Sequence, residues 1–346
     1  MAYTFYLILL LILLFLWLLR KFFFNAPFTN KKRNMKNKVV IITGSSAGIG
    51  KETAYDILKN DGTVIYACRD EEKTMNIIKQ LPIGFQTRSV FIKLDLFSFA
   101  SIYQFVEEFL KIFDKVDILI NNAGLAKQEF NLTENKIETT LQANHIGHML
   151  LTSLLLDKFN TNEGRIINVS SDAHWFADIN IKQIKDLESN LNFDGIYYSG
   201  TKGATKQYGN SKLANIYFTQ YLKEFLELKF KHIKTVCLHP GFVNTELYRV
   251  GRGLLPYVIE IMLSYILYPI FYYFSKSSVV GAQTTLHLCY EQLIENGEYY
   301  QNCKKSNKCS NTKDSELQRE FMKYSWMLID KVNVDFIKFK NLLNRF

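Results

Sequence analysis

The sequence predicts an α/β fold in which one parallel β-sheet is covered by helices on both faces. From Lys38 onward, short runs rich in β-branched residues alternate with longer amphipathic segments, which is the pattern of repeated βαβ units. A glycine-rich loop directly follows the first of these runs and opens a helix-length segment. No repeat of solenoid length interrupts the region, so we expect a single domain.

Composition limits the classes of protein that this chain can belong to. The 346 residues are 48% hydrophobic and 22% charged, which excludes a disordered or fibrous chain. The net charge of +9 lies at the two ends, in residues 20–38 and 304–346, and the region between them carries slightly more acids than bases. Because a nucleic-acid groove requires a basic folded body, we expect no nucleic-acid partner.

Residues 1–24 are predicted to form a transmembrane anchor. The segment from Tyr3 to Leu19 is apolar except for Thr4, and three phenylalanines at 22–24 extend it. That length approaches the roughly 20 residues that a ~30 Å hydrocarbon core requires. A cleaved signal peptide would need a basic start and a small-residue cleavage site, which the sequence lacks. A buried core helix is disfavoured because the segment has no polar face.

The linker at 25–37 is basic, and this predicts the orientation of the chain. Because Lys and Arg mark the cytosolic side of a membrane helix, we expect the domain in the cytosol, on the endoplasmic reticulum or a lipid droplet. The five cysteines agree with a reducing compartment. None of them stands at zinc-site spacing, so we expect no metal.

The domain is placed at 38–303 and is followed by a basic C-terminal extension at 304–346. Its predicted buried strands are Val39–Thr43, Thr63–Cys68, Val90–Leu94, Val116–Ile120, Arg165–Ser170 and Lys234–Leu238. Segments such as Gly50–Lys59 and Ser101–Phe113 have the length and pattern of the connecting helices.

The loop from Thr43 to Gly50 predicts a dinucleotide site. Glycines at 44, 48 and 50 let the backbone turn sharply and approach a pyrophosphate, which would then lie at a helix N-terminus. The strand before the loop and the helix after it are the context that this interpretation requires. The fold is therefore predicted to be a Rossmann-type doubly wound sheet.

Six motifs in order resemble the short-chain dehydrogenase/reductase superfamily, in its retinol-dehydrogenase-like branch. They are Thr-Gly-x-x-x-Gly-Ile-Gly at 43–50, Asn-Asn-Ala-Gly at 121–124, Asn-His-Ile-Gly-His at 144–148, Val-Ser-Ser at 169–171, Tyr-Gly-Asn-Ser-Lys at 208–212 and His-Pro-Gly-Phe-Val at 239–243. The resemblance covers about residues 38–300.

The resemblance implies a catalytic set of Asn144, Ser171, Tyr208 and Lys212, in which Asn144 holds a water that links Lys212 to solvent. Residue chemistry agrees with the other roles. Tyr208 and Lys212 are four apart and share a helix face, so the ammonium can lower a phenol pKa that starts near 10 towards the range of general acid–base catalysis. The Ser171 hydroxyl can polarise a substrate carbonyl.

The implied cofactor is NADP(H). An NAD site places an acid at the end of the second strand, where this chain has Cys68 followed by Arg69, whose guanidinium can pair with a 2′-phosphate. The alternative is that Arg69 is a solvated strand-end charge. By resemblance the cofactor contacts are Gly44, Ser46, Gly48, Ile49, Gly50, Arg69, Asp95, Leu96, Asn122, Ala123, Gly124, Tyr208, Lys212, Pro240, Gly241 and Val243.

A second Tyr-x-x-x-Lys, from Tyr198 to Lys202, lies ten residues upstream of Tyr208. Gly200 and Gly203 would each cost a helix about 1 kcal/mol, whereas the residues after Lys212 continue a helix without interruption. We therefore assign Tyr208 and expect Tyr198 in a loop.

An apolar lid is predicted at 249–277. Residues 254–274 contain one charge, Glu260, together with two prolines and five tyrosines, which favours an interfacial or lipid-binding segment over a second span. Plain hydrophobic core is the alternative. His174 and Trp175 either line the same pocket or pack in the core.

Taken together, the sequence predicts a membrane-anchored NADP(H)-dependent oxidoreductase that interconverts a lipophilic carbonyl and alcohol. By resemblance the substrate is retinoid-like, with fatty aldehydes and steroids as further classes, and reduction is the expected direction. The alternatives are a pigment or quinone reductase of the same branch and a non-catalytic NADPH-binding membrane scaffold. A homo-oligomeric state is left open.

Overall fold

The computed structural model describes residues 2–21, 27–31, 33–126, 130–160, 162–189, 200–243, 273 and 275–332. Their core is one sheet with the strand order β3-β2-β1-β4-β5-β6-β7-β8. The strands are β1 (Val39–Thr43), β2 (Thr63–Cys68), β3 (Ser89–Lys93), β4 (Ile118–Asn121), β5 (Gly164–Val169), β6 (Ile233–His239), β7 (Tyr299–Gln301) and β8 (Lys304–Lys305). Neighbouring strands are parallel except β7 and β8.

The described helices connect and flank these strands. They are α1 (Ala2–Leu19), α2 (Gly48–Lys59), α3 (Glu71–Lys79), α4 (Ile83–Gln86), α5 (Phe99–Ile112), α6 (Thr139–Leu141), α7 (Gly147–Leu155), α8 (Ile181–Ser189), α9 (Gly200–Lys229), α10 (Ser278–Tyr290) and α11 (Ser315–Val332). A π-helical turn, Gln142–Ile146, joins α6 to α7.

The sheet is buried on both faces because its strands carry apolar residues at successive positions. In β1, Ile41 packs in a cluster with residues of α5, α7 and α9, while Val40 and Ile42 pack on the opposite face with residues of α2 and α10. All three side chains are fully buried. The predicted α/β fold, a doubly wound parallel sheet in one domain, is confirmed.

The C-terminal extension predicted at 304–346 contributes to this domain. Helix α11 buries Phe321, Met322 and Leu328 against the cluster that contains α9. Just before the extension, β7 pairs with β6 in parallel from Cys237 to His239, although the sequence predicts no strand at that position. Strands of two or three residues carry too little pattern to be recognised from sequence.

Helix α9 begins earlier than its glycines predict. Gly203 and Gly209 both lie inside the helix, which runs from Gly200 to Lys229. A Cβ at Gly209 would lie 2.7 Å from the carbonyl oxygen of Ala173, so this position needs glycine for close packing on the turn after β5. Tertiary packing thus overrides helix propensity here. Tyr198 lies outside the described residues.

The N-terminal helix α1 contains 18 residues, and many of its apolar side chains are exposed. Within the part of the chain that the structure describes, no helix combines the length and the apolarity that crossing a membrane requires. The anchor at 1–24 stays a prediction. The lid predicted at 249–277 lies outside the described residues except for 273 and 275–277.

Candidate active site

The glycine loop between β1 and α2 forms one wall of a cavity at the carboxyl edge of the sheet. Gly44 and Gly48 have φ of 67° and 53°, which L side chains rarely adopt. A Cβ at Gly50 would lie 2.6 Å from Asn122 Nδ2, so the loop packs directly on the segment after β4. The residue before α2, Ala47, offers no side-chain cap, which leaves the first backbone N–H groups of the helix for an anion.

A buried hydroxyl connects this loop to its neighbours. Thr43 Oγ1 accepts hydrogen bonds from the backbone N–H of Asn122 and of Ala123, both at 2.9 Å, and lies 2.9 Å from His148 Nε2. His148 Nδ1 lies 3.1 Å from the carbonyl oxygen of Asn144. With Nδ1–H as donor, Nε2 can accept from Thr43, and burial lowers the pKa of His148 to about 4, which keeps the ring neutral.

Asn144 lies in the π-helical turn and is fully buried. Its side chain donates to the carbonyl oxygen of Leu125 at 2.8 Å and to Ser211 Oγ at 3.0 Å, and it accepts from the Leu125 N–H at 2.8 Å. These bonds fix the chain that follows β4 against α9. Single π-turns frequently mark functional sites. The water-holding role of Asn144 stays a prediction.

Tyr208 and Lys212 lie one turn apart on α9, as their spacing predicts. Lys212 Nζ lies 5.5 Å from the centre of the Tyr208 ring and donates to the carbonyl oxygen of Val169 at 3.1 Å. Lys212 is 3% exposed, and this burial lowers its pKa to about 8. A Cβ at Gly124 would lie 3.2 Å from the same Nζ, so the glycine allows the segment after β4 to approach the ammonium closely.

Ser171 follows β5 in extended backbone and lines the cavity with Tyr208 and Lys212. Its Oγ accepts from the N–H of Ala173 at 3.2 Å. Because a hydroxyl has one hydrogen to donate, that acceptor bond leaves Ser171 able to donate to a substrate oxygen. The segment is held further by His174, whose Nδ1 lies 2.7 Å from the Ser171 carbonyl oxygen.

A clamp between Asp172 and His239 is the feature that the sequence analysis missed. The Asp172 N–H donates to His239 Nδ1 at 3.2 Å, and His239 Nε2 lies 3.1 Å from Asp172 Oδ2. The carboxylate also accepts from Tyr299 Oη at 3.3 Å and Gln301 Nε2 at 3.0 Å. Burial lowers the pKa of His239 to about 4, so the ring is neutral and each nitrogen has one role.

This clamp ties two parts of the site together. Asp172 directly follows Ser171, and His239 directly precedes the Pro240–Gly241 loop, which lines the cavity. Both residues lie at the carboxyl ends of predicted strands, and this position was the sequence signal that could have indicated the clamp. The two strand ends are neighbours only because β5 pairs with β6, which the sequence does not show.

The cavity has a volume of about 480 Å³. Every residue for which the resemblance implies a cofactor contact lines it, together with Ser171 and the unpredicted Ala47, Asp70, Lys73, Phe97, Leu125 and Ala143. Asn144 is not part of this lining and contacts it through Leu125. The residues therefore fit a dinucleotide, with glycine-loop backbone for its phosphates and α9 for its reacting end.

The end of β2 lines the cavity through Ala67, Cys68 and Arg69. Arg69 Cζ lies 5.5 Å from the centre of the Phe97 ring, and the Cys68 thiol lies 3.4 Å from Ser45 Oγ. The side chain of Asp70 accepts from the N–H of Lys73 and begins α3.

His174 packs in the core and does not line the described cavity. It is 1% exposed, and its Nε2 accepts from the N–H of Cys309 at 3.2 Å. Burial lowers its pKa, so the neutral ring matches these two bonds. Trp175 is 55% exposed. Of the two roles considered for His174, the packing role is the one observed.

Comparisons with known proteins agree with this architecture. The family model described as short chain dehydrogenase matches residues 38–179. Retinol dehydrogenase 12 of Mus musculus is 34% identical over 305 residues, which cover 86% of this chain and 89% of the relative. Retinol dehydrogenase 13 of Homo sapiens is 34% identical over 303 residues, which cover 86% of each chain.

Among solved structures, an uncharacterised protein of Mycobacterium paratuberculosis superposes with a TM-score of 0.65 at 25% identity, covering 86% of this chain and 95% of that one. Salutaridine reductase of Papaver somniferum superposes with a TM-score of 0.54 at 20% identity, covering 76% and 99%. The second similarity concerns the fold alone.

Proposed function

This chain belongs to the short-chain dehydrogenase/reductase superfamily, in its retinol-dehydrogenase-like branch, and from that premise we propose that it is an NADP(H)-dependent oxidoreductase. It interconverts a lipophilic carbonyl and alcohol, with reduction as the cytosolic direction. The observation that carries the proposal is the buried Lys212 beside Tyr208, in a cavity that also presents Ser171 and the glycine loop.

The chain's own residues act on the substrate oxygen. Ser171 Oγ donates a hydrogen bond to the carbonyl and so stabilises the negative charge that develops on its oxygen. Tyr208 gives its phenolic proton to that oxygen, and the Lys212 ammonium stabilises the phenolate left behind. A bound nicotinamide would supply the hydride, while the protein orients it and supplies the proton.

The preference for NADP(H) is supported by the charge at the end of β2. Arg69 lines the cavity beside Phe97, and Cys68 stands where an NAD site places an acid. A guanidinium is suited to a 2′-phosphate because it can bind it with two parallel hydrogen bonds.

Membrane anchoring through α1, with the domain on the cytosolic side of the endoplasmic reticulum or a lipid droplet, is part of the proposal. The helix is apolar around its circumference, with Leu10 and Phe15 each 62% exposed and Trp17 50% exposed. Arg20 and Lys21 follow it directly, as expected at a cytosolic interface. The names of the relatives suggest a retinoid-like substrate, and fatty aldehydes and steroids are the nearest other classes.

Hydride transfer tests this function. Full-length protein is supplied with NADPH labelled at the transferred hydrogen and with a panel of retinoid, fatty and steroid carbonyls and quinones. We expect label in an alcohol product of at least one lipophilic aldehyde or ketone. Transfer only to the quinones would establish the alternative reductase. NADPH binding without transfer to any of them would establish the scaffold.

Tyr208→Phe is the matched control, because it removes one hydroxyl from the cavity. It should abolish turnover and leave NADPH binding nearly intact. Wild-type rates in this variant would refute the assignment of Tyr208.

A further inference from the structure

A segment between α1 and β1, here called the strap (the described residues 27–31 and 33–38), is bound along one side of the domain. The Thr29 N–H donates to Gln283 Oε1 at 3.1 Å, and its hydroxyl lies 3.4 Å from His287 Nδ1. Lys31 Nζ forms an ion pair with Glu291 at 2.8 Å. Further on, Arg33 binds both carboxylate oxygens of Glu163, and Met35 is 1% exposed. The strap is thus a fixed part of the domain surface.

The strap runs in the same direction as α10, from its first residues towards its last. Along α10 its contacts fall on Gln283, then His287, then Glu291 just after the helix. The start of α10 lies at the active-site cavity, because a Cβ at Gly281 would meet Val243 at 2.7 Å. The end of α10 lies at the opposite edge of the sheet, where its last carbonyl groups accept from Arg165. The strap therefore runs from the carboxyl edge of the sheet to the amino edge, where β1 begins.

A second contact places the end of α1 at the same edge. Arg20 Cζ lies 4.7 Å from the centre of the Tyr273 ring. Tyr273 precedes Ser277, the N-cap of α10, by four residues. Both the end of α1 and the start of the strap therefore lie beside the part of the fold that carries the cavity.

We propose that the strap holds the carboxyl edge of the sheet against the membrane that α1 enters, so that the enzyme takes substrates dissolved in the bilayer. The occupant of the apolar surface of α1 is a lipid bilayer with anionic headgroups. A helix that is apolar except for Thr4 and is followed by Arg20 and Lys21 matches the hydrocarbon core and the charged interface in that order. This inference rests on the proposed function and adds the orientation of the domain and the route of the substrate.

Kinetics on vesicles test the strap. Full-length protein is bound to vesicles of phosphatidylcholine and phosphatidylserine, and reduction of a long-chain aldehyde dissolved in them is compared with that of a short, water-soluble aldehyde. Thr29→Pro/Lys31→Glu removes one N–H donor and turns an ion pair into a repulsion. We expect kcat/KM for the long-chain aldehyde to fall about tenfold, with the rate for the short aldehyde unchanged.

Two further variants test whether the loss of activity on the long-chain aldehyde comes from the strap contacts. Lys36→Glu is the charge-matched control, because Lys36 is exposed in the strap and its side chain has no described contact with the domain; it should keep the wild-type ratio of the two rates. Lys31→Glu/Glu291→Lys should recover the ratio that Lys31→Glu loses. An equal loss in Lys36→Glu, or no loss in either strap variant, would overturn the proposal. A wild-type enzyme that reduces none of the carbonyls in the panel above would refute the proposed function instead.

The orientation of the domain is tested directly by measuring how close two surface positions lie to the bilayer. A fluorophore is attached at Trp175→Cys, beside the active site, or at Leu293→Cys, at the opposite edge, in a Cys303→Ser background. Both native side chains are exposed, at 55% and 87%. With bromine-labelled acyl chains in the vesicles, we expect strong quenching at position 175 and little at 293. Equal quenching at both sites, stronger quenching at 293, or none at either would overturn the orientation.

Discussion

The two edges of the parallel sheet bury positive charge in different ways. At the amino edge, Arg165 is 2% exposed and meets Glu163, which also binds Arg33. At the carboxyl edge, Lys212 is 3% exposed, and its Nζ is held by a carbonyl oxygen, with no carboxylate of the described residues within ion-pair distance.

This difference distinguishes a charge that stabilises the fold, at Glu163 and its arginines, from a charge that can take part in catalysis, at Lys212. Hydrogen bonding from Arg33 lowers the pKa of Glu163 to about 2, so this charge is fixed in the physiological range. Burial lowers the pKa of Lys212 to about 8, so this charge lies within reach of titration. A buried charge without a partner costs stability, and strongly perturbed groups of this kind cluster at functional sites.

The largest expected effect is that of Lys212→Met, which replaces the ammonium with an apolar chain of similar length. We expect kcat to fall about 10²- to 10⁴-fold, because Tyr208 loses the charge that stabilises its phenolate. Stability should be equal or higher, since Val169 keeps a donor in Asn215 Nδ2 at 3.2 Å. Steady-state kinetics and urea unfolding measure the two quantities.

The matched variant at the amino edge is Arg165→Met, which should lower stability and leave kcat nearly unchanged. Loss of about 3–5 kcal/mol of stability is expected, with kcat within a few-fold of wild type in the folded protein. If the two variants lost activity and stability in parallel, the distinction between the two edges would be wrong.

Alkaline pH should relieve the cost of burying Lys212. Its folded pKa is about 8, below the 10.5 of an exposed lysine, so between these values the unfolded chain binds more protons and stability rises with pH. The difference in unfolding free energy between wild type and Lys212→Met should move in favour of wild type by up to about 3 kcal/mol across that window. A difference that does not change with pH would contradict the pKa shift.

Arg69, an exposed cation of the carboxyl edge, should determine the cofactor. Its guanidinium lies 5.5 Å from the centre of the Phe97 ring and makes no ion pair with a described residue, so a phosphate could bind it. Arg69→Asp should shift the ratio of kcat/KM for NADPH over NADH by about 100-fold, because a charge-assisted contact is lost and a ribose acceptor is gained. Lys51→Asp, on the exposed surface of α2, should leave the ratio unchanged. An unchanged ratio in Arg69→Asp would refute the role of this residue.

At the amino edge, Glu163→Gln should lower stability at pH 7 by roughly 2 kcal/mol, after allowance for solvent screening of a carboxylate that is 35% exposed. The folded pKa lies below the unfolded one, so this contribution is present above about 4.5 and is lost as pH falls towards about 2. The free energies of unfolding of the wild type and of Glu163→Gln should therefore become equal in acid. Glu108→Gln, on an exposed face of α5, should show neither effect.

Sequence alone could predict the parts of both edges that follow local rules. Strands β1 to β6 alternate with helices of recognisable period, and the glycine loop and the Tyr208–Lys212 spacing are contiguous motifs. Strand β7, helix α11 and the bonds between Lys31 and Glu291 join residues far apart in the chain. Those contacts depend on how the sheet is completed, and no local pattern encodes them.

The clamp between Asp172 and His239 gives the smallest expected effect, and it tests whether the carboxyl edge is positioned by bonds that sequence did not show. Asp172→Asn keeps one acceptor oxygen and replaces the other with an NH₂ donor. That NH₂ group would face either Gln301 Nε2 or Tyr299 Oη, each of which donates to the carboxylate in the wild type. We expect kcat to fall about 3- to 10-fold, because Ser171 is held less firmly, with NADPH affinity nearly unchanged.

Asp178→Asn is the control, since that carboxylate pairs with Lys206 on the surface and is 49% exposed. A loss of more than about 100-fold in Asp172→Asn would instead indicate direct participation in proton transfer. No loss at all would mean that the packing of His174 and the close contact at Gly209 are sufficient to hold Ser171. The expected few-fold loss confined to kcat corresponds to a positioning bond, because such a bond changes the orientation of a catalytic group without touching the cofactor.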